Sequence, residues 1–272
     1  MDTDADKLSF WEHLDVLRAA LVRVAVVTVV FGCAAFCFKD ALFAVVLAPK
    51  DSGFVTYRLF SAVGGLFGQP VGDFSVQLIN TGLAGQFVLH MKTAAYAALM
   101  CASPYIVYEL FRFVSPALYS AERRCAVRAV GFGYALSVVG VLLSYFLIFP
   151  FAFRFLGTYQ VSPEVGNMIT LDSYISTLVT LSLAMGIVFE IPVVAWLLAR
   201  MGLLSDGILR RYRKHAVVVV LVAAAVITPT SDVFTLLLVA LPMWMLYEAS
   251  VLVVARTSNA ERRTSKGGGR KP

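Results

Sequence analysis

What most restricts this chain is a succession of apolar runs, each about as long as a bilayer is thick. Residues 129–153 contain no charged side chain, residues 19–38 only Arg23, and residues 173–199 only Glu190. Bilayer hydrocarbon is about 30 Å thick and a helix rises about 1.5 Å per residue, so a crossing takes about 20 apolar residues. The composition agrees: 59% of the residues are hydrophobic, 15% are charged and the mean hydropathy is +0.79. A soluble domain runs about 45–50% apolar and about 25% charged. One soluble core could not hide so much apolar surface, and disordered, collagenous or small disulfide-stapled chains are excluded as well. The expected fold is all-α and polytopic.

Six spans are expected, at about 19–38, 83–111, 129–153, 173–199, 216–231 and 233–255. The second contains Lys92 and Glu109, which need an interfacial position or protein partners, while Arg23 in the first can snorkel. The uninterrupted runs in the last two, 216–227 and 233–247, would reach only roughly 18 and 22 Å. Either they form one re-entrant element, or they cross as a short hairpin where the bilayer is locally thin. With six spans, the inner segments carry 18 Lys and Arg against 4 outside, Lys92 being unassigned. By the positive-inside rule both termini are then cytoplasmic, and the surplus of positive charge needs no nucleic acid to explain it.

Residues 1–256 are expected to form a single membrane domain, with 40–80 outside the bilayer and 257–272 as a basic, disordered tail. The first eighteen residues are polar and acidic and do not resemble a cleavable leader. Pro104, Pro150, Pro192 and Pro242 lie in or at the ends of spans. Each removes a backbone bond, so a bent, cupped arrangement is expected.

No catalytic signature is present. HExxH, GxSxG and a Walker A loop are absent, and His13, His90 and His215 are too scattered for a metal site. Cys33, Cys37, Cys101 and Cys125 have no CxxC spacing and read as packing residues. The Gly131-Phe-Gly133 pair reads as a close helix contact. Neither enzyme activity, nor a metal, nor a cofactor is expected.

The ionisable groups say more. Glu190 lies in GIVFEIPVV, where an ionised acid costs roughly 2.5–3.5 kcal/mol on insertion scales. It must face protein or water or stay protonated, as a buried hydrogen-bonded acid or as a functional polar spot. Asp232, in ITPTSDVF, could N-cap the last helix. Ser9 and Glu12 of SFWE form a capping box, and Ser115 and Pro116 of SPALYSAERR stand as N-cap and first helical residue. Glu122 follows among arginines, as a surface acid paired with Arg123 or Arg124 or as a binding acid.

Taken in order, several segments resemble the TatC family, the multi-span core subunit of the twin-arginine protein translocase. SFWEHLDVLRAALVR is similar to the family's F-x-x-HLxELR, and FRFVSPALYSAERR to its F-V-x-P-x-L-Y-x-x-E-R loop. YFLIFPFAFRF, GIVFEIPVV, GLLSDGILRRYRKH, ITPTSDVF and ALPMWMLYEAS follow in the family's order. The resemblance runs from about Phe10 to Arg256. It implies a receptor and scaffold for signal peptides bearing paired arginines, exporting folded proteins on the proton-motive force from the plasma (inner) membrane. The implied partners are single-span TatA/TatB-type subunits in a multi-subunit complex.

The resemblance also implies site residues. Glu122 is the leading arginine-binding acid, with Phe113, Pro116, Leu118, Tyr119 and Arg123 shaping its loop. The family's second acid, in HLxELR, is Val16 here. Glu12, one turn earlier on the same face, or Asp15 takes its place. Glu190 matches the intramembrane acid. Thr228, Pro229, Asp232, Pro242 and Glu248 match the docking surface for partner helices, and Pro49 the start of the outer cap. Leu236 stands where many members carry a polar residue. The competing reading is a proton-coupled secondary transporter or channel using Glu190. Such proteins often show internal repeats around a midplane site, and the sequence shows neither a repeat nor a second mid-span carboxylate.

Overall fold

Long apolar sequence becomes long helix because no other form satisfies the backbone inside lipid. The computed structural model describes residues 10–66, 74, 76–114, 123–162, 164, 166–200, 202–230 and 232–267, without the side chains of 10–13, 63–66, 111, 114, 123–130 and 258–267. The helices are α1 (Phe10–Cys37), α2 (Lys39–Leu47), α3 (Val55–Leu66), α4 (Gly85–Val114) and α5 (Arg123–Leu143). They continue with α6 (Phe149–Thr158), α7 (Leu171–Val188), α8 (Ile191–Arg200), α9 (Asp206–Arg211), α10 (Arg213–Ile227) and α11 (Val233–Gly267).

Four stretches among the described residues are long and apolar enough to cross a membrane: Leu14–Cys37, Gly131–Thr158, Leu171–Arg200 and Val233–Thr257. They overlap the first, third, fourth and sixth expected spans. α4 has the length, at 30 residues, but contains Lys92, Glu109 and Arg112. α10 has only 15 residues, about 22 Å.

Two features depart from the expectation. The chain is not wholly helical, since β1 (Leu78–Ile79) and β2 (Ile169–Thr170) form a short parallel ladder, Leu78 opposite Ile169 and Ile79 opposite Thr170. The tail expected to be disordered starts as helix: α11 continues to Gly267, through a polar segment, 257–266, that contains no Pro or Gly to break it.

The chain divides into two compact units, Met1–Leu42 with Gln86–Tyr134, and Phe43–Gly85 with Ala135–Pro272. In the first, α1 and α4 run antiparallel. Arg23 meets Glu109, a Cβ on Gly32 would lie 3.5 Å from that of Ala98, and Phe36 stacks on His90 with its edge to Phe87. As one number rises the other falls. Only 6% of the apolar window of α1 is buried, and Leu21, Val22, Val26, Val29 and Val30 are exposed. Such a helix needs lipid around it. Cys33, Cys37 and Cys101 are free and exposed, so they face outward rather than packing as expected.

The second unit is organised by its prolines. Pro150 cannot donate to the Phe146 carbonyl, and one turn of π-helix (Ser144–Ile148) precedes it. The vacant Phe146 carbonyl accepts the Thr56 hydroxyl of α3 instead. Pro104, in α4 of the first unit, similarly leaves the Met100 carbonyl free, and the Ser103 hydroxyl donates to it at 2.7 Å. Pro192 splits the fourth expected span into α7 and α8 with a turn at Phe189–Glu190. Close packing of α5 on α7 occurs at Gly140 and Gly186 rather than at Gly131, around which a Cβ would meet nothing within 4 Å. Ser137 of α5 donates to the Gly186 carbonyl at 3.1 Å. α8 packs on α11 through Ala195, Ala199 and Val254, with Leu204 and Leu209 alongside.

Candidate functional site

The antiparallel pairing of α1 and α4 brings the start of one and the end of the other to the same end of the first unit. Asp15 and Val16 are both exposed near that end of α1. Phe113 is half-buried in the last turn of α4. Glu122, Pro116, Leu118, Tyr119 and the expected cap Ser115 lie outside the described residues, as does Ser9. Arg123 opens α5 and Glu12 belongs to the first turn of α1, their side chains lying outside the description.

Below that end is a constellation that sequence reasoning left unassembled. Arg23 Nε and Nη2 donate to Glu109 Oε1 and Oε2 at 2.9 and 2.8 Å, a two-pronged guanidinium–carboxylate pair. The Tyr105 hydroxyl donates to Oε1 at 3.0 Å, and Arg112 approaches the same oxygen at 3.8 Å. Glu109 is 3% exposed and Arg23 40% exposed, so the acid is enclosed while its partner keeps an open edge. Arg23, expected near the end of its span, lies midway along α1 and pairs with protein. The available signal was two opposite charges in separate apolar runs, each needing a partner.

Glu190 sits at the turn between α7 and α8, half-buried, with Oε1 enclosed and unpartnered among the described residues. The Glu190 carbonyl accepts from Val193 and Val194, starting α8 behind Pro192.

At the α10–α11 connection, Thr228 is buried and its hydroxyl donates to the Ala224 carbonyl at 2.9 Å, while Pro229 is exposed. Asp232 is the N-cap of α11, Oδ1 accepting from the Thr235 amide at 2.6 Å. Burial raises the Asp232 carboxyl, but the Thr235 amide and neighbouring hydroxyl groups outweigh it and hold it below its ordinary value. Pro242 lies inside α11, and Glu248 pairs with Arg213 at 2.7 Å.

Pro49 is buried in a short 3₁₀ turn, Ala48–Lys50. The Tyr57 hydroxyl is shared between the Pro49 and Pro150 carbonyls at 3.2 and 2.9 Å, and burial pushes that hydroxyl well above its ordinary value, so it stays protonated and donates. The hydroxyls of Tyr145 and Tyr174 donate to the Val45 and Val46 carbonyls at 2.7 and 3.1 Å. Among the described residues no group of His, Cys, Asp and Glu is placed to hold a metal ion.

The family model for the Sec-independent protein translocase protein TatC matches residues 12–242. A TatC protein of Blattabacterium is 31% identical across 93% of this chain and 97% of its own. One from Deinococcus radiodurans is 34% identical over 89% and 84%, and one from Azotobacter chroococcum 32% over 100% and 98%. A crystal structure of the twin-arginine translocase receptor TatC covers 89% of this chain and 98% of its own with a TM-score of 0.71 at 30% identity. A second, in the detergent DDM, gives 0.73 at 29% identity over 89% and 99%. The chain belongs to the TatC family and is accordingly a polytopic, non-enzymatic membrane component of the Sec-independent, twin-arginine protein translocase.

Proposed function

We propose that this protein is the receptor and scaffold that takes in twin-arginine signal peptides of folded cargo, in a translocase driven by the proton-motive force. Residues 1–256 act as one membrane domain crossing the bilayer six times, with both termini cytoplasmic, and the excess of Lys and Arg on the inner segments supports that orientation. The short hairpin 216–255 crosses a locally thinned bilayer and receives single-span TatA/TatB-type helices along Thr228, Pro229, Asp232, Pro242 and Glu248.

The carrying observation is the antiparallel pairing of α1 with α4. It supports a single acidic rim, because the segment with Glu122 leaves α4 at the end from which α1 starts. By helix rise, Arg23 lies about 12 Å from Asp15 and Glu109 about 8 Å from Val114, so Asp15 stands near the level where that segment begins. Glu122, with Glu12 or Asp15, then receives the two guanidinium groups, while Phe113, Pro116, Leu118, Tyr119 and Arg123 shape the loop. Arginine forks onto a carboxylate where lysine makes a point contact, which accounts for selection of arginines. Glu190 acts as a polar contact within the bilayer, and Pro49 as part of the outer cap.

The test is crosslinking of a twin-arginine signal peptide to the full chain in membranes, comparing wild type, Glu122→Ala and a lysine-lysine signal. Crosslinking is expected with wild type only. Equal yields across the three overturn the docking proposal.

A further inference from the structure

We infer that Glu109 is a further arginine-binding carboxylate for the signal peptide, occupied at rest by Arg23 as an internal stand-in for a passenger arginine. The inference rests on the receptor reading above and adds to it a resting state. Three observations carry it. The pair already has the two-pronged geometry that an arginine of a signal would adopt, with both Glu109 oxygens engaged by one guanidinium at 2.9 and 2.8 Å. The Tyr105 hydroxyl also donates to Oε1 at 3.0 Å, so the orientation of the carboxylate does not depend on Arg23 alone. The burial is one-sided, Glu109 being 3% exposed and Arg23 40% exposed.

That asymmetry decides which partner moves. A buried carboxylate left without a cation is strongly unfavourable, so Glu109 needs a guanidinium at all times. Arg23 has an open edge and a long flexible stem, and can swing to the interface without separating α1 from α4. An incoming arginine then replaces it like for like, with no stage at which the carboxylate stands alone. Lysine cannot reproduce both prongs. Arg112, 3.8 Å from Oε1, is the remaining cation and is too far for the same geometry. The arrangement also bears on Val16: where the helix lacks an acid at that position, the same unit presents one farther along.

The test uses membranes containing the full chain, a photo-crosslinkable twin-arginine signal peptide as probe, and yields normalised to folded protein. Arg23→Gln frees the carboxylate, and capture is expected to rise by about fivefold or more, as one charge-assisted contact allows. Arg23→Lys, which keeps the charge but loses the fork, gives a smaller rise and remains informative if Arg23→Gln folds poorly. Glu109→Gln lowers capture, and the double variant captures no better than Glu109→Gln. If Arg23→Gln and Arg23→Lys leave capture unchanged or lower it, the pair is only a latch between helices and the inference is overturned. Glu122→Gln is run alongside. Loss of capture there with no response at Arg23 sinks this inference alone, whereas no loss at Glu122 sinks the receptor reading itself.

Discussion

At the scale of single residues, buried hydroxyl and carboxyl groups here complete backbone that prolines or helix ends leave open. Thr56→Val keeps the shape and removes the donor to the Phe146 carbonyl, so unfolding in detergent is expected to occur with a loss of about 1–3 kcal/mol. Ser103→Ala acts on the Met100 carbonyl in the same direction, with a smaller effect because Ser103 is half-buried where Thr56 is buried. Asp232→Ala removes the cap of α11 at about 1 kcal/mol, read by thermal unfolding. Its pH dependence has a definite sign. Because the folded-state value of Asp232 is lowered, its contribution is complete above the ordinary carboxylate range and disappears as pH falls through the lower folded value. Asp232→Asn flattens that acid limb of the stability curve; an unchanged limb refutes the assignment. The cap was legible in sequence, from an acid just before an apolar run. The Arg23–Glu109 pair was not, because its members are 86 positions apart and each alone reads as an interfacial charge.

At the scale of elements, α5 and α7 approach as closely as they do because two positions lack a Cβ. A Cβ on Gly140 would stand 2.6 Å from the Met185 carbonyl oxygen and 2.8 Å from the Phe189 ring. Gly140→Ala must push the helices apart, at about 1–3 kcal/mol by the measure of overpacked cores, while Gly131→Ala costs far less; thermal unfolding of the two variants separates them. Of the two glycines that the sequence singles out, Gly131 stands open while Gly133 is buried. Gly131 and Gly133 are two apart, about 200° around a helix, and do not share a face. At the same end of α7, Pro192→Ala restores an amide able to bond the Val188 carbonyl and joins α7 to α8. Hydrogen exchange around residues 189–194 is expected to slow, and unchanged exchange would mean that something besides the proline holds the break. That proline, and the bend it imposes, was legible. How far the final helix extends was not, since the polar composition of the tail reads as disorder although nothing in 257–266 breaks a helix.

At the scale of the whole molecule, the apolar windows and the ordered motifs made the family legible, because YFLIFPFAFRF, GIVFEIPVV and ITPTSDVF fall at helix breaks or ends where few residue types serve. The rim of acids is the part that sequence alone leaves open, since Val16 interrupts the expected pattern. Neutralising Glu12 and Asp15 together is expected to weaken signal-peptide crosslinking severalfold, while Glu164→Gln, far along the chain, leaves it unchanged. Equal crosslinking in the double variant would remove the N-terminal helix from the rim. The hydroxyl of Thr56 completing the carbonyl vacated by Pro150 has an evolutionary consequence. Inheriting these two segments of chain as a set preserves that bond. A hybrid that grafts the α3 segment of one relative onto the span of another brings in either a proline without its donor or a donor with nothing to serve, and parents matched at both positions are expected to yield the more stable chimera.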